Sequence, residues 1–191
     1  MGREFEKKFK ASEEQFAALL ADFDGLTETA METTYYDSPF RRLGILHWTL
    51  RRRMENGVAV CTLKVPGRGF GCGEWETECD DIYKALPILM AMDAPQELAE
   101  LTAGGLQEFC GARFTRLAGY VECDGCTVEL ALDQGYLLGG GKELPFSEVE
   151  VELKSGSEEA AVSFGQALAR EMNLSPESRS KVARARALAG K

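Results

Sequence analysis

Polar and apolar residues alternate along much of this chain. The segments Glu4-Phe5-Glu6-Lys7-Lys8 and Glu148-Val149-Glu150-Val151-Glu152-Leu153 carry acidic residues at every second position. Successive side chains of a β-strand point to opposite faces, so each segment is predicted to be a strand with carboxylates on one face and packed residues on the other. We therefore expect a strand over residues 2–10 and another after residue 141.

The same period of two continues through the middle of the chain. Asn56-Gly57 and Asp124-Gly125 have the composition of two-residue hairpin turns, and Gly139 to Gly141 marks a further turn. The segments around these turns are predicted to be strands over residues 33–37, 45–54, 58–65, 74–78, 112–123, 126–133 and 135–139. With the opening and closing segments there are nine such segments, and these are expected to form about eight antiparallel strands.

Helical signals lie between and after the strands. Ser12 precedes Glu13-Glu14-Gln15 and predicts a capped amphipathic helix that ends near Phe23. Apolar residues recur at spacings of three and four between residues 82 and 111. Further helices are expected over residues 158–172 and from Ser175-Pro176 onward.

The charged faces of the strands determine the predicted fold. Eight strands that each have one charged and one apolar face can form a closed sheet, in which the charged face points inward and the helices pack on the apolar outer face. The predicted fold class is therefore α+β, an eight-stranded antiparallel closed β-barrel, or tunnel, with helices packed outside. With 191 residues and 45% hydrophobic content, residues 1–191 are expected to form a single domain.

The acidic faces require compensating positive charge. Two carboxylates at positions i and i+2 lie about 7 Å apart and repel by roughly 2 kcal/mol at an effective dielectric near 20. Basic residues recur at the same period: Lys8, Arg51, Arg53 and Lys64. Ordered acids beside ordered bases suit a polyanion bridged by a hard cation, because carboxylates bind the cation while Arg and Lys bind phosphate oxygens. The alternative is an ordinary solvated strand face, but regular runs of one sign on many strands favour the first interpretation.

The bulk composition bears on partners and location. The formal net charge is -9, so neither nucleic acid nor an anionic membrane is expected as a partner. No apolar stretch approaches the roughly 20 residues that span a bilayer, and the charged start is unlike a secretion signal, so a cytoplasmic location is expected. The six cysteines are then expected to be free thiols, and Cys123-x-x-Cys126 to be a hairpin rather than a metal or redox site.

A series of short motifs extends over nearly the whole chain. They are Glu4-x-Glu6-x-Lys8, Tyr35-Tyr36-Asp37, Leu50-Arg51-Arg52-Arg53, Thr62-Leu63-Lys64, Glu74-x-Glu76, Leu132-Asp133-x-Gly135, Glu148-x-Glu150-x-Glu152 and Ser180-Lys181. In order and spacing this series resembles the CYTH domain family, also called the triphosphate tunnel metalloenzymes. The resemblance implies a tunnel that binds a triphosphate together with a divalent cation, Mg²⁺ or Mn²⁺, and hydrolyses the triphosphate.

The resemblance also implies roles for individual residues. The implied metal ligands are Glu4, Glu6, Asp133, Glu148, Glu150 and Glu152. The implied phosphate-binding residues are Lys8, Arg51, Arg53, Lys64, Arg116 and Lys181. The residues implied in catalysis are Lys8, Glu74, Glu76 and Asp133, of which the two glutamates orient the basic residues or hold a second ion. Arg184 either shares the face of Lys181 or is a capping or solvated residue, and Cys72 stands where family members often carry Arg.

The implied reaction is attack of water on a terminal phosphorus. Inorganic triphosphate, cleaved to pyrophosphate and phosphate, is the expected substrate because no base-stacking or thiazole-binding motif is evident. Thiamine triphosphate, nucleoside triphosphates and the class IV-type adenylate cyclase reaction are alternatives, and the last lacks the His-Phe pair typical of its subgroup. A non-catalytic polyphosphate- or nucleotide-binding module is a further alternative. The protein is expected to act on this small molecule as a monomer or a homodimer.

Overall fold

The computed structural model describes residues 5–67 and 72–190. The strands in these ranges are β1 (Glu6–Lys10), β2 (Thr27–Asp37), β3 (Thr49–Glu55), β4 (Val58–Pro66), β5 (Cys72–Glu78), β6 (Gln107–Cys123), β7 (Cys126–Gly139), β8 (Lys142–Gly156) and β9 (Ser175–Pro176). The helices are α1 (Glu13–Asp22), α2 (Arg42–Ile45), α3 (Ile82–Ala91), α4 (Glu97–Thr102), α5 (Glu158–Glu171) and α6 (Lys181–Leu188). None of these helices combines the length and the apolar character that crossing a membrane requires.

The nine described strands form one open antiparallel sheet in the order β5-β4-β3-β2-β6-β7-β8-β1-β9. The α+β class is confirmed, but the predicted eight-stranded closed barrel is wrong, because within the described ranges no pairing joins the two edge strands. The extra strand, β9, pairs with the free side of β1 through Ser175 and Pro176. Proline has no N–H to donate, so this two-residue strand offers a poor edge for further pairing.

Several predicted boundaries shift in the structure. Residues 107–111 begin β6 rather than ending a helix, because Gln107 pairs with Asp37 of β2. β7 continues through Gln134 without the predicted break, since both of its neighbours pair with it there. The segment predicted as strand from residue 45 enters β3 only at Thr49, after the short helix α2.

Local capping and turn signals are confirmed. The Ser12 hydroxyl accepts a hydrogen bond from the Gln15 backbone N–H at 3.2 Å, and the Gln15 side chain accepts one from the Ser12 N–H at 2.7 Å, which completes a capping box. Cys123 pairs with Cys126 across the turn between β6 and β7, so the hairpin interpretation of this motif is confirmed. The five cysteines whose side chains are described are free thiols.

Helices cover the apolar face of the sheet in two places. Behind β1, β7 and β8, residues such as Leu130 and Val149 pack against α1 and α5. Behind β3, β4 and β5, residues such as Leu63 and Trp75 pack against α3 and α4. Both halves of the sheet are therefore backed by helices, which leaves the opposite face for polar residues.

The last helix, α6, lies on the charged face rather than outside, and it begins at Lys181 rather than at Ser175. Its Ala185 packs with Phe114 and Phe146, which project from the same face of the sheet as the charged residues. The approach is close at Gly139, where an added Cβ would lie 2.4 Å from the carbonyl oxygen of Ala185. The prediction that the helices pack outside is therefore wrong for α6.

Candidate active site

Strand register places the charged residues on one face of the sheet. In an antiparallel pair, directly opposed residues share a face. Glu148 of β8 opposes Asp133 of β7, which in turn opposes Arg116 of β6. Lys8 of β1 opposes Glu150 of β8 in the adjacent row. Residues that are far apart in sequence are thus brought to one region of the sheet.

Three carboxylates in this region form a cluster that we call the acidic triad: Asp133, Glu148 and Glu150. Each offers an oxygen that lies within 4.8 Å of the others. Asp133 and Glu148 are fully buried, and Glu150 is 9% exposed. Carboxylate oxygens are the ligands that hard divalent cations such as Mg²⁺ and Mn²⁺ prefer, so the triad fits such an ion.

Cationic side chains surround the acidic triad. The Nε and Nη2 atoms of Arg116 donate to the two carboxylate oxygens of Asp133 at 2.8 and 2.7 Å, a bidentate pair. The same Nη2 lies 2.5 Å from Glu150 Oε2. Lys8 Nζ lies 3.4 Å from Glu150 Oε1 and 3.0 Å from Glu6 Oε1.

The helix α6 contributes two further cations to the triad. Lys181 Nζ lies 2.6 Å from Asp133 Oδ2 and 2.8 Å from Glu150 Oε1, and it also contacts Glu148. Arg184 pairs with the other oxygen of Glu148. Because both cations come from one turn of α6, the position of that helix determines the charge balance of the triad.

Two carboxylates of the triad, Glu148 and Glu150, and the neighbouring Glu6 differ in their electrostatic environments. Burial by itself would raise the pKa of Glu150, but Lys181, Arg116 and Lys8 together hold it well below its ordinary value. The pKa values of Glu6 and Glu148 are raised, mainly by burial and in part by repulsion from Glu150. The negative charge of Glu150 is therefore better stabilised by its surroundings than that of Glu6 or Glu148.

A second set of cations, the basic group, lies on the other half of the same face: Arg51, Arg53 and Lys64. Arg51 Nη2 lies 3.7 Å from Glu74 Oε1 and 3.5 Å from Glu76 Oε1. Lys64 Nζ lies 3.1 Å from Glu74 Oε2. Glu76 also accepts a hydrogen bond from the Thr62 hydroxyl at 2.8 Å. The two glutamates thus lie within ion-pairing distance of Arg51 and Lys64, and their predicted role, to orient the basic residues or to hold a second ion, stays a prediction.

Arg53 is the buried member of the basic group, whereas Arg51 and Lys64 are half-buried. It is 8% exposed, and its Nε donates to the Thr33 hydroxyl at 3.1 Å. Burial, together with repulsion from Arg51 and Arg116, lowers the pKa of Arg53 to about 10. Its Nη1 lies 3.6 Å from Glu55 Oε1. A negatively charged group next to Arg53 would stabilise the charged form of its guanidinium.

The structure gathers the predicted residues into these two groups. The residues at the triad are Lys8, Arg116, Asp133, Glu148, Glu150 and Lys181, and those at the basic group are Arg51, Arg53, Lys64, Glu74 and Glu76. Glu6 and Glu152 oppose each other in the row beyond Glu150, where Lys154 lies 2.9 Å from Glu152. Glu4 lies outside the described residues, so its predicted role as a metal ligand stays a prediction, and the side chain of Cys72 also lies outside them.

Sequence reasoning did not assign several residues that the structure places at the site. Thr33 and Thr62 support Arg53 and Glu76, and each opposes an arginine on the neighbouring strand. Thr62 lies in the Thr62-Leu63-Lys64 motif, but neither threonine was assigned a role from the sequence. Arg184, whose placement was left open, is buried against Glu148. Its spacing of three residues from Lys181 on a helix is the signal that allowed a shared face.

Together, the fold and the site define a class of protein in which one charged sheet face combines clustered carboxylates with ordered arginines and lysines. The model of the CYTH domain matches residues 2–185, and the chain belongs to this family. The family assignment made from the motifs is thereby confirmed.

The chain is also similar to individual proteins. An inorganic triphosphatase from Haemophilus influenzae is 31% identical over 160 residues, which are 83% of this chain and 46% of that protein. The chain therefore spans about half the length of this curated relative. Among solved structures, a putative adenylate cyclase from Bacillus halodurans has a TM-score of 0.73 at 23% identity, with 96% of this chain and 98% of that chain covered.

A second solved structure is similar over its whole length. It is a putative adenylyl cyclase from Hippeastrum, described as having a dominant triphosphatase activity, with a TM-score of 0.70 at 21% identity. The match covers 98% of this chain and 96% of that chain. At these levels of identity, the two structures establish a shared fold.

Proposed function

We propose that this protein is a divalent-metal-dependent triphosphatase that cleaves inorganic triphosphate to pyrophosphate and phosphate. The observation that carries the proposal is the acidic triad, whose oxygens lie within 4.8 Å of one another on the sheet face that also presents the basic group. Such a face offers ligands for a metal ion and for a linear polyanion at once. The similarity to an inorganic triphosphatase supports the same substrate.

Under this proposal the acidic triad holds Mg²⁺ or Mn²⁺, with Glu4, Glu6 and Glu152 as further ligands. When bound, such an ion neutralises phosphate charge and lowers the pKa of a coordinated water. Arg116 keeps Asp133 oriented through its bidentate pair. Lys8, next to Glu150, is placed to contact a phosphate oxygen that lies against the triad.

The basic group binds the part of the triphosphate that extends away from the triad. Arg51 and Arg53 remain charged and donate in a fixed geometry, so they neutralise non-bridging phosphate oxygens. Glu74 and Glu76 restrain Arg51 and Lys64 before the substrate arrives, which reduces the entropy lost on binding. Catalysis then consists mainly of positioning and of charge stabilisation during attack of water on the terminal phosphorus.

The proposal is tested by measuring released phosphate from tripolyphosphate, ATP and thiamine triphosphate, each with Mg²⁺, with Mn²⁺ and with EDTA. We expect metal-dependent release that is fastest with tripolyphosphate. Faster release from ATP or thiamine triphosphate would show that one of these, rather than inorganic triphosphate, is the preferred substrate. Formation of cyclic AMP from ATP would show that the protein catalyses the adenylate cyclase reaction instead of hydrolysis. Tight binding of tripolyphosphate without turnover would instead identify a non-catalytic binding module.

A further inference from the structure

The ammonium group of Lys181 lies at the centre of the acidic triad. It is 2.6 Å from Asp133 Oδ2 and 2.8 Å from Glu150 Oε1, and it also touches Glu148. One cation thus contacts all three carboxylates whose oxygens converge within 4.8 Å. Any ion that bound the same three oxygens would require the space that this ammonium occupies.

The charges around the triad are already balanced. Within the described residues, its ion-pair network contains four carboxylates and four cationic side chains: Glu6, Asp133, Glu148 and Glu150, with Lys8, Arg116, Lys181 and Arg184. A divalent cation that entered alone would leave a surplus of positive charge in a largely buried region. Removal of the Lys181 ammonium from the triad, or arrival of a polyanion, would offset that surplus.

The Lys181 side chain is flexible enough to move its ammonium group while the triad carboxylates stay in place. Lysine carries its charge on a flexible four-carbon stem. Its Nζ lies 5.1 Å from the ring centre of Phe114 and 5.6 Å from that of Phe146, so two aromatic faces can stabilise the ammonium near the triad. Arg184 holds the opposite oxygen of Glu148, so that carboxylate keeps a partner when Lys181 leaves.

We propose that the Lys181 ammonium and the divalent ion compete for the acidic triad, so that metal binds weakly alone and tightly together with triphosphate. The displaced ammonium then contacts a phosphate oxygen. The inference rests on the proposed function in assigning the metal to this triad. Because coupling between two ligands is reciprocal, metal must strengthen triphosphate binding by the same factor by which triphosphate strengthens metal binding.

The test is to titrate Mn²⁺ into the purified protein without triphosphate and to measure binding by isothermal titration calorimetry. We expect Lys181→Gln to bind Mn²⁺ about tenfold more tightly than the wild type, because the competing ammonium is gone. Arg186→Gln is the matched control, since it removes one positive charge from the same helix. Arg186 instead lies 3.6 Å from Asp37 and stacks on Phe109, away from the triad. The control should leave Mn²⁺ affinity close to that of the wild type.

Equal or weaker Mn²⁺ binding by Lys181→Gln would overturn the competition, as would an equal gain in the Arg186→Gln control. Neither result would contradict the proposed function, which is tested separately by the metal-dependent release of phosphate from tripolyphosphate by the wild type. If Lys181→Gln does not fold, reductive methylation of the wild type gives a second readout by mass spectrometry. Mg²⁺ should increase the labelling of Lys181 relative to the exposed Lys84, and unchanged labelling would overturn the inference.

Discussion

Glu6 and Glu150 share one face of the sheet but differ in what surrounds them. Glu150 is contacted by Lys8, Arg116 and Lys181, whereas the described partner of Glu6 is Lys8 alone. Burial and repulsion from Glu150 raise the pKa of Glu6. The same chemical change at these two positions should therefore affect stability in different ways.

Glu150→Gln should lower the free energy of unfolding by about 3 kcal/mol, because it leaves buried cations without their shared partner. Glu6→Gln should change the free energy of unfolding little or raise it, since it removes a carboxylate whose charge is disfavoured by its surroundings. Urea denaturation of both variants in EDTA measures the difference. Equal destabilisation by the two substitutions would contradict this account of the site.

Glu177 provides a pH-dependent test away from the triad. Its carboxylate accepts hydrogen bonds from the backbone and side chain of Arg179, and these lower the pKa of Glu177 from 4.5 to about 2. A lowered pKa contributes stability above the unfolded value of 4.5, and this contribution is lost as the pH falls toward 2. Glu177→Gln should thus cost about 1 to 2 kcal/mol at pH 7, a modest value because Arg179 is largely exposed.

The measurement for Glu177 compares urea denaturation of the wild type and the Glu177→Gln variant at pH 7 and pH 3. The difference between the two proteins should shrink at pH 3, because the unfolded wild-type glutamate is then protonated. A difference that stays constant with pH would mean that Glu177 stabilises the fold by packing rather than by its charge.

At the scale of elements, α6 connects the packing of the sheet to the charge of the site. Its small residues allow it to lie on the backbone of β7 near Gly139, and its first turn then places Lys181 and Arg184 over the triad. The Ser180 hydroxyl accepts a hydrogen bond from the backbone N–H of Ala183 at 3.2 Å and begins the helix there. A change that lifts α6 should therefore disturb the site without altering any charged residue.

Gly139→Ala should lower the free energy of unfolding by about 2 to 3 kcal/mol, as overpacking against backbone does, and it should reduce phosphate release. The new Cβ would meet the carbonyl oxygen of Ala185 at 2.4 Å. Gly104→Ala is the control, because a Cβ at Gly104 has no atom within 4 Å. Denaturation curves and the tripolyphosphate assay test both variants, and a Gly139→Ala protein that behaves like the control would show that α6 can shift at no cost.

At the scale of the whole molecule, the site needs both halves of the sheet. The acidic triad lies on β7 and β8, whereas the basic group lies on β3 and β4, and β2 and β6 connect them. Arg53 and Arg116 repel each other enough to affect the pKa of Arg53, so the two halves share one electrostatic environment. Under the proposed function, a triphosphate bound at the triad would thus gain affinity from residues on distant strands.

Arg51→Ala should weaken triphosphate binding by about 1.5 to 3 kcal/mol, the contribution of charge-assisted hydrogen bonds, while Mn²⁺ binding without triphosphate stays unchanged. Arg52→Ala is the matched control. Arg52 is the next residue on β3, its side chain projects from the opposite face, and it donates to Met54 Sδ at 3.3 Å. Calorimetry with a non-hydrolysable triphosphate analogue measures all three proteins, and equal weakening by both substitutions would mean that the basic group does not contact the ligand.

Much of the fold could be predicted from local signals. The Ser12 capping box, the Asn56-Gly57 turn and the alternation around Glu150 depend on residues close in sequence, so the elements that contain them were predicted correctly. Residues 107–111 were misassigned because an apolar spacing of three and four also fits a strand whose two faces are both partly covered. Their pairing with β2 decides the matter, and that contact is remote in sequence.

The sequence by itself determined which residues carry charge at a period of two, and hence which side chains can share a strand face. Only the tertiary structure decided that the sheet remains open, with Pro176 at one edge, and that α6 lies on the charged face. The physical reason is that strand alternation is a local property of the backbone, whereas sheet closure and helix docking depend on which distant surfaces pack best. The ion pairs of Lys181 with Asp133 and Glu150 arise from that docking.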